Sequence, residues 1–568
     1  MKKQRKLWIA AGATLVVLIV VLAVIVIKRY MPSKEHADLT QYFGLHGANE
    51  VAIILEDQQL KEGQSAKLED GEIYVKFDVL HDEIDPRYYW DESESKLLYT
   101  TSQDTFWVEP GTEDYYRGRK KVAGEYGQII KLDGNEIWIN FDYVALNSNI
   151  EYKLYRKPNR LVIFNQTKKI NQVEATKGTE IRLRGGVKSP ILADIEKGTK
   201  LTVLQTFDNW YQVASKDGFR GYVKSNKVSD MQTTKRKITK KWEERHCMKD
   251  DRIEMAWHQV TNAYANTQIA NVLAKTKGLT VVSPTWFYLV DEKGAIGSIA
   301  SADYVSYCHA HDMEVWGLVS NLVMRNVDTG KVLAKTTYRE NLVSALIAKA
   351  IEYKLDGINV DFESLKAEAG DAYVQFIREL SLKCHANDLI LSVDNYVPSA
   401  FTAFYNREEQ AHYADYIITM AYDEHYVGSE AGSVSSLPYV TAASKNVLKE
   451  IPAKQSIIAL PFYTRLWELT PKGKSKTKYT TKSQAIGMDQ AENLAKVNGA
   501  TPTWDANLGQ DYVEYEQGGK KYQIWFENAK SLEKKMKVVN KYKAAGMAFW
   551  KLGFENEAAW NMVIKYSK

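Results

Sequence analysis

The stretch "LDGINVDFESL", Leu355 to Leu365, sets Asp356, Asn359, Asp361 and Glu363 among apolar residues. Side chains on a strand alternate between its faces. Ile358, Val360 and Phe362 therefore share one face, suited to a hydrophobic layer, and Asn359, Asp361 and Glu363 share the other. Uncompensated buried charge is expensive, so the polar face must look into a cavity, a metal site or a hydrogen-bonded network. A single acid at a strand end is most often a loop cap. Three polar groups in strict alternation point to one shared place. Asp361 and Glu363 lie about 6.5–7 Å apart at Cα, on one wall. Two-carboxylate glycosidases bring their acids to the bond from different sides. Two acids on one wall suit a proton donor and an orienting group, with the nucleophile coming from elsewhere, as in glycosidases that use the N-acetyl group of the sugar.

These groups need a frame. Strand-like runs fall at 252–260, 279–289, 314–320, 355–363, 389–397, 414–422, 455–463 and 546–552, with helical periodicity between them, clearest in "YRENLVSALIAKAIEYK" and "AYVQFIRELSLKCHA". Eight such alternations predict a (β/α)8 barrel. The gap between the seventh and eighth strands holds a small β-rich insertion, "TPTWDANLGQDYVEYEQGGKKYQIWFEN". Catalytic groups in such barrels sit at the C-terminal strand ends. Glu363 ends the fourth strand, Tyr422 and Asp423 the sixth, and Trp550 the eighth.

"DGINVDFE" resembles the Asp-x-x-Asp-x-Asp-x-Glu motif of glycoside hydrolase family 18, the chitinase-like family. "MAYD", Met420 to Asp423, resembles its sixth-strand motif, and Trp550 in "GMAFWKLG" its eighth-strand tryptophan. "SPTWFYL", "PFYTRLW" and "IWFEN" are similar to the branch that trims spore and cell-wall peptidoglycan. The similarity spans about 250 to 560. It implies that Glu363 protonates the glycosidic oxygen, that Asp361 orients the acetamido group and stabilises the oxazolinium, and that Tyr422 hydrogen-bonds the acetamido oxygen. It further implies substrate contacts at Asp356, Asn359, Met420, Asp423, Trp550, Trp286, Tyr463, Arg465 and Trp525. An ionised neighbour raises a carboxyl pKa, which keeps Glu363 protonated. The motif's second Asp is Asn359 here, which bears on the pH profile. "GLVSN" stands where many chitinases have Ser-x-Gly-Gly on the third strand, which argues against chitin.

The 568 residues imply several domains. Residues 1–6 read as a cytoplasmic tail. Residues 7–27, "LWIAAGATLVVLIVVLAVIVI", read as an uncharged transmembrane span. Four basic residues precede it, which places the N-terminus in the cytoplasm and the remainder outside the cell. A polar stalk follows at 28–48, then a β-rich domain at 49–168. "LEDGEIYVKFDVLHDEIDPRYYWDESESKLLYTT" resembles the substrate-remote N-terminal domain of copper amine oxidases, which implies a spacer without copper chemistry. Residues 173–230, with "IEKGTKLTVL", "NWYQVAS" and "GFRGYVKS", resemble a bacterial SH3-like domain, implying either wall binding or a spacer. Residues 231–248 read as a charged linker, and 249–568 as the catalytic barrel.

Lys and Arg number 75 against 71 Asp and Glu, a net of +4, which gives no argument for a nucleic-acid partner. Three cysteines exclude a disulfide framework. In "CHAHD", His309 and His311 fall on different helix faces, which argues against a metal site. No metal or cofactor is expected. The partners expected are the membrane and peptidoglycan or another N-acetylglucosamine-containing glycan. The leading reading is a membrane-anchored glycosidase cleaving N-acetylglucosaminyl bonds in peptidoglycan. A non-catalytic wall-binding scaffold and a chitinase-type hydrolase are the alternatives, and the intact Glu363 argues against the first of these.

Overall fold

The computed structural model describes residues 2–60, 65–472 and 479–567. The chain divides into two compact units, 1–88 with 108–242, and 89–107 with 243–568.

The second unit is a closed barrel of eight parallel strands: β1 Ile253–His258, β2 Val281–Leu289, β3 Glu314–Ser320, β4 Gly357–Asp361, β5 Ile390–Tyr396, β6 Tyr416–Met420, β7 Ser456–Pro461 and β8 Gly546–Trp550. Each pairs with its sequence neighbours, and β1 pairs with both β2 and β8, which closes the ring. Alternation turns Met255, Trp257, Val281, Trp316, Leu318, Ile390, Ile418, Ile457, Ala459 and Ala548 into one packed interior cluster. The outer layer is helical. In Thr336–Tyr353, Leu342, Val343, Leu346, Ile347 and Ala350 are buried, a 3.6-residue stripe. That helix ends at Lys354, whose φ of 55° is a left-handed C-cap.

The expected insertion between β7 and β8 is larger than the sequence suggested. It is a five-stranded antiparallel sheet of Tyr463–Pro471, Tyr479–Gly487, Thr503–Asp505, Gln510–Gln517 and Lys520–Trp525, with the helix Met488–Val497 packed on one face. Its first two strands are half polar, so they do not stand out by composition.

Two domain boundaries differ from the sequence reading. Residues 89–107, placed there in the β-rich stalk domain, belong to the barrel unit. They carry most of the hairpin Tyr88–Asp91 and Lys96–Thr100, which is bound by long-range contacts. The Tyr89 hydroxyl donates to Ala334 O at 3.0 Å, Thr336 N donates to Asp91 Oδ2 at 2.6 Å, and Tyr413 hydroxyl donates to Thr100 O at 2.8 Å. The charged linker is partly ordered: Gln232–Arg236 is a strand paired with Lys168–Glu174. Its charges read as solvated, but Arg236 forms hydrogen bonds to Asp57 and Glu56, some 180 residues earlier. Further on, Cys247 and Met248 pack against the barrel interior cluster, and Cys247 N donates to buried Asp415.

Among the described residues, the first unit carries the helix Lys2–Tyr30 and three sheets that lie wholly within it. That helix is long and apolar enough to cross a membrane, the one such helix among the described residues. A four-stranded sheet holds Ala52–Leu55 and Arg160–Phe164 as parallel neighbours. A seven-stranded sheet holds the segment resembling an SH3 domain. The two share one core: Phe43, Ala52, Ile54 and Val162 pack in the same cluster as Ile181, Leu201, Val213 and Val223. Gly218 sits with φ +89° against Val162 and Ile54, where an added Cβ would lie 3.0 Å from a Val162 methyl. The SH3-like segment is therefore not separable from the strands before it. Ile54→Ala should remove about 2–5 kcal/mol from this core, and hydrogen exchange read by mass spectrometry should show faster amide exchange throughout 173–230. Unchanged exchange there would mean that the two parts are stabilised independently.

Candidate active site

Strands β4, β5, β6 and β8 bring their inward ends to the C-terminal mouth of the barrel. From β4 come Asn359, Asp361 and, just beyond the strand, Glu363. The fully buried Asn359 amide uses all of its hydrogen-bonding capacity. Its Oδ1 accepts from Trp257 Nε1 at 2.9 Å and Ser283 Oγ at 3.2 Å. Its Nδ2 donates to Ser392 Oγ at 3.0 Å and Asp394 Oδ1 at 2.9 Å.

Asp394, on β5, is the third carboxyl of the site and sequence reasoning missed it. "LILSVDNYV" alternates Ser392, Asp394 and Tyr396 as β4 alternates its polar groups, and that signal was available. Burial pushes the Asp394 carboxyl well above the usual range, Asn359 opposing and Glu363 adding to the rise. Asp361 is pushed up by burial first, then by Glu363 and Asp394. Its Oδ1 is buried without a hydrogen-bond partner. Glu363 is also raised, by burial first, with a hydrogen bond from Tyr396 opposing and Asp423 adding to the rise. Three carboxyls thus share a poorly hydrated space in which full ionisation is disfavoured.

The backbone around Glu363 is clamped by Asn321, which directly follows β3. Glu363 N donates to Asn321 Oδ1 and Asn321 Nδ2 donates to Glu363 O, both at 2.9 Å. Ser364 follows at φ 55° and donates its N–H to the Tyr396 hydroxyl at 3.1 Å. Asn321 and Tyr396 were not singled out in the sequence. "GLVSN", noted there for a missing motif, contains the clamp.

Across the mouth, Tyr422 is half-buried after β6, and burial pushes its hydroxyl pKa well up. Met420, two residues earlier, shares its inward face and is 9% exposed. Asp423 has φ 55° and its Oδ1 accepts from the Tyr463 hydroxyl at 2.6 Å and Arg465 Nη2 at 3.1 Å. Tyr463 and Arg465 come from the first strand of the insertion sheet. Trp467 pairs with Gln523 in that sheet, so Arg465 and Trp525 have the parity of one face, opposite the face that packs on its helix. Trp550, at the end of β8, is half-buried with its ring 5.8 Å from Trp257. His258 ends β1 against Tyr304; burial first and Lys551 second lower its pKa to about 4, so its ring is neutral at pH 7.

Two expected residues lie elsewhere. Asp356 precedes β4 and sits at the opposite end of the barrel, where its Oδ2 accepts from Val315 N and pairs with His309 Nε2, both at 2.8 Å. It caps the barrel bottom and does not reach the mouth. Trp286 is fully buried on the outer face of β2, donating from Nε1 to Asn266 at 2.8 Å and packing on Tyr304. It is a core residue with no surface for a ligand.

An eight-stranded parallel barrel with three buried, pKa-raised carboxyls at its C-terminal mouth is suited to acid–base chemistry of the glycosidase type. Comparison with known families agrees. Residues 329–555 match the family of glycosyl hydrolases family 18, and residues 177–229 match the bacterial SH3 domain. These segments are similar to family 18 glycosyl hydrolases and to bacterial SH3 domains respectively, and the barrel is that of a glycoside hydrolase. An uncharacterized glycosylase, YvbX, of Bacillus subtilis is 25% identical over 323 residues, 54% of this chain and 92% of that protein. The cortical fragment-lytic enzyme of Bacillus subtilis is 25% identical over 242 residues, 41% of this chain and 55% of that enzyme, so this chain spans about half its length. The C-terminal domain of a putative chitinase from Desulfitobacterium hafniense shares the fold, with a TM-score of 0.51 at 18% identity, over 56% of this chain and 100% of that one.

The raised carboxyls make a stability prediction with a definite sign. A carboxyl whose folded pKa is raised destabilises the fold above its unfolded pKa of about 3.9 and costs nothing below it. Asp394→Asn should therefore raise the thermal midpoint of the barrel at neutral pH, and the gain should vanish below about pH 4. A loss of stability at neutral pH that fades as the pH falls below about 4 would instead mean that Asp394 is held ionised by its partners.

Proposed function

We propose that the protein hydrolyses N-acetylglucosaminyl bonds of peptidoglycan with retention of configuration, using the acetamido group of its own substrate as nucleophile. The observation that carries this reading is the placement of the carboxyls. Asp361, Glu363 and Asp394 all come from the adjacent strands β4 and β5. The opposite wall, β8, offers the Trp550 ring and no acid. A protein nucleophile attacking from the far side of the sugar has no source there.

In this reading Glu363, whose carboxyl pKa burial raises, gives its proton to the glycosidic oxygen as the C1–O bond breaks. The acetamido carbonyl oxygen of the sugar closes on C1 and forms an oxazolinium ion. Asp361 holds the acetamido N–H and balances the positive charge. Tyr422 donates to the acetamido oxygen, and Trp550 floors the sugar. Water then attacks C1 and Glu363, now ionised, takes its proton. Asn359 and Asp394 set how many protons the cluster holds. Asp423 is held by Tyr463 and Arg465 beside the sugar, with Met420 below and Trp525 on the same face of the insertion sheet. The cortical fragment-lytic relative and the bacterial SH3 domain support a wall glycan as substrate. The apolar helix Lys2–Tyr30 supports anchorage in the cell membrane with the barrel outside.

Glu363→Gln should lower turnover on N-acetylated peptidoglycan strands about 10²–10⁴-fold while binding survives. Mass analysis of wild-type digests should give new reducing N-acetylglucosamine ends, with a thiazoline mimic of the oxazolinium inhibiting. A glycosyl ester trapped on any carboxylate would overturn the mechanism, and tight binding without products would favour a non-catalytic scaffold. The protein should stay with membranes after high-salt washing; a released, N-terminally trimmed form would mean a cleaved leader instead.

A further inference from the structure

A cleft of about 1000 Å3 opens beside Glu363, between the loop after β3, the loop after β4 and the hairpin Tyr88–Asp91 and Lys96–Thr100. Its walls include Glu363 but not Asp361, Tyr422 or Trp550, the residues that hold the reacting sugar in the reading above. A general acid stands between that sugar and the leaving group. A space that meets the acid and misses the rest of the sugar's site lies on the leaving-group side. Its volume is at the upper end of the range for small-molecule pockets, roughly 300–1,000 Å3, so it has room for a sugar and a branch.

The hairpin wall is held rigidly. Tyr89 is bonded to Ala334 O and lies under the Arg339 guanidinium at 4.8 Å, and Arg339 is itself buried on Glu379. Trp90, next on the strand, is half-buried in the cleft wall. The charges of the rim are of another kind. Arg325, after β3, and Lys366 and Glu368, after β4, are exposed and make no salt bridge among the described residues. An uncharged chito-oligosaccharide has no use for such groups. Charged side chains of both signs suit a ligand that carries carboxylates and an amine.

We infer that this cleft receives the stem peptide of the muramyl residue on the leaving side, so that the preferred substrate is peptide-bearing rather than bare glycan. The inference rests on the peptidoglycan reading above and adds the part of the substrate that is selected. In that reading the leaving group is N-acetylmuramic acid. Its lactyl group carries a peptide with free carboxylates and a diamino acid. Arg325 and Lys366 meet the carboxylates, Glu368 meets the amine, and Trp90 gives an apolar wall for the peptide backbone.

The test uses the full-length protein in detergent and one preparation of N-acetylated glycan strands, before and after an amidase removes the peptides. The expected result is a kcat/KM about tenfold or more higher on peptide-bearing strands. Arg325→Ala and Lys366→Ala should each reduce that preference severalfold, and Arg325→Glu should reduce it further. In parallel, the Glu363→Gln protein should bind a disaccharide-tetrapeptide more tightly than the bare disaccharide, and adding Arg325→Ala should remove the difference. Equal rates on the two strands, or variants that slow both alike, would overturn the inference. If neither strand is cut, the peptidoglycan reading fails. Peptide-dependent binding lost with Arg325→Ala would then still uphold the cleft's role, and its absence would overturn it.

Discussion

Three carboxyls are confined to one end of a packed barrel, and the neighbourhood is arranged around the cost of that confinement. Two unit charges about 6–7 Å apart repel by roughly 2–3 kcal/mol at an effective dielectric near 20, and burial adds a penalty for each charge. Full ionisation is therefore disfavoured, and burial raises the pKa of Asp361, Glu363 and Asp394 alike. Asn359 follows from the same constraint. A fourth carboxyl at its position would add charge where there is little hydration to oppose it. The amide instead links Trp257, Ser283, Ser392 and Asp394 without charge. The Asn321 clamp on its backbone and the Tyr396 hydroxyl then fix the position of Glu363 at the mouth.

The same constraint explains which parts of the site could be read from sequence. The β4 acids were legible because alternation on a strand is a geometric rule and because their polarity is costly in a buried element. Asp356 was misplaced by the same stretch. It stands five residues before Asp361, and a strand rises about 3.3 Å per residue, which carries it some 16 Å away, to the other end of the barrel. Trp286 was misplaced because its motif gives no face. The pairing of β2 with β3 shifts register between Thr285 and Phe287, and the ring turns into the helix layer. Asp394 and Tyr396 obey the alternation that revealed β4 but lie on a strand with only one acid.

The eightfold alternation of the barrel was legible for the usual physical reason: each parallel strand needs a crossover, and the helical stripe between strands is long enough to see. Contacts across hundreds of residues were not. The pairing of Arg236 with Asp57 makes a strand of what composition describes as linker. The shared core of Ile54, Val162 and Val213 joins segments that sequence similarity treats as separate modules. The hairpin around Trp90 is anchored by a helix start, Thr336, that nothing in the local sequence announces.

That hairpin also constrains how the protein can have been assembled over evolutionary time. Segments of a chain are often exchanged between genes as cassettes, which works when a cut leaves every wall of a site on one side of it. Here a cut before residue 249 would leave the barrel without Tyr89 and Trp90, and its helices without the cap from Asp91. The barrel unit is therefore discontinuous in sequence, with residues 89–107 as part of it. A change in what the cleft beside Glu363 must accommodate would therefore fall on the hairpin or the two facing loops, all within the unit that holds the barrel.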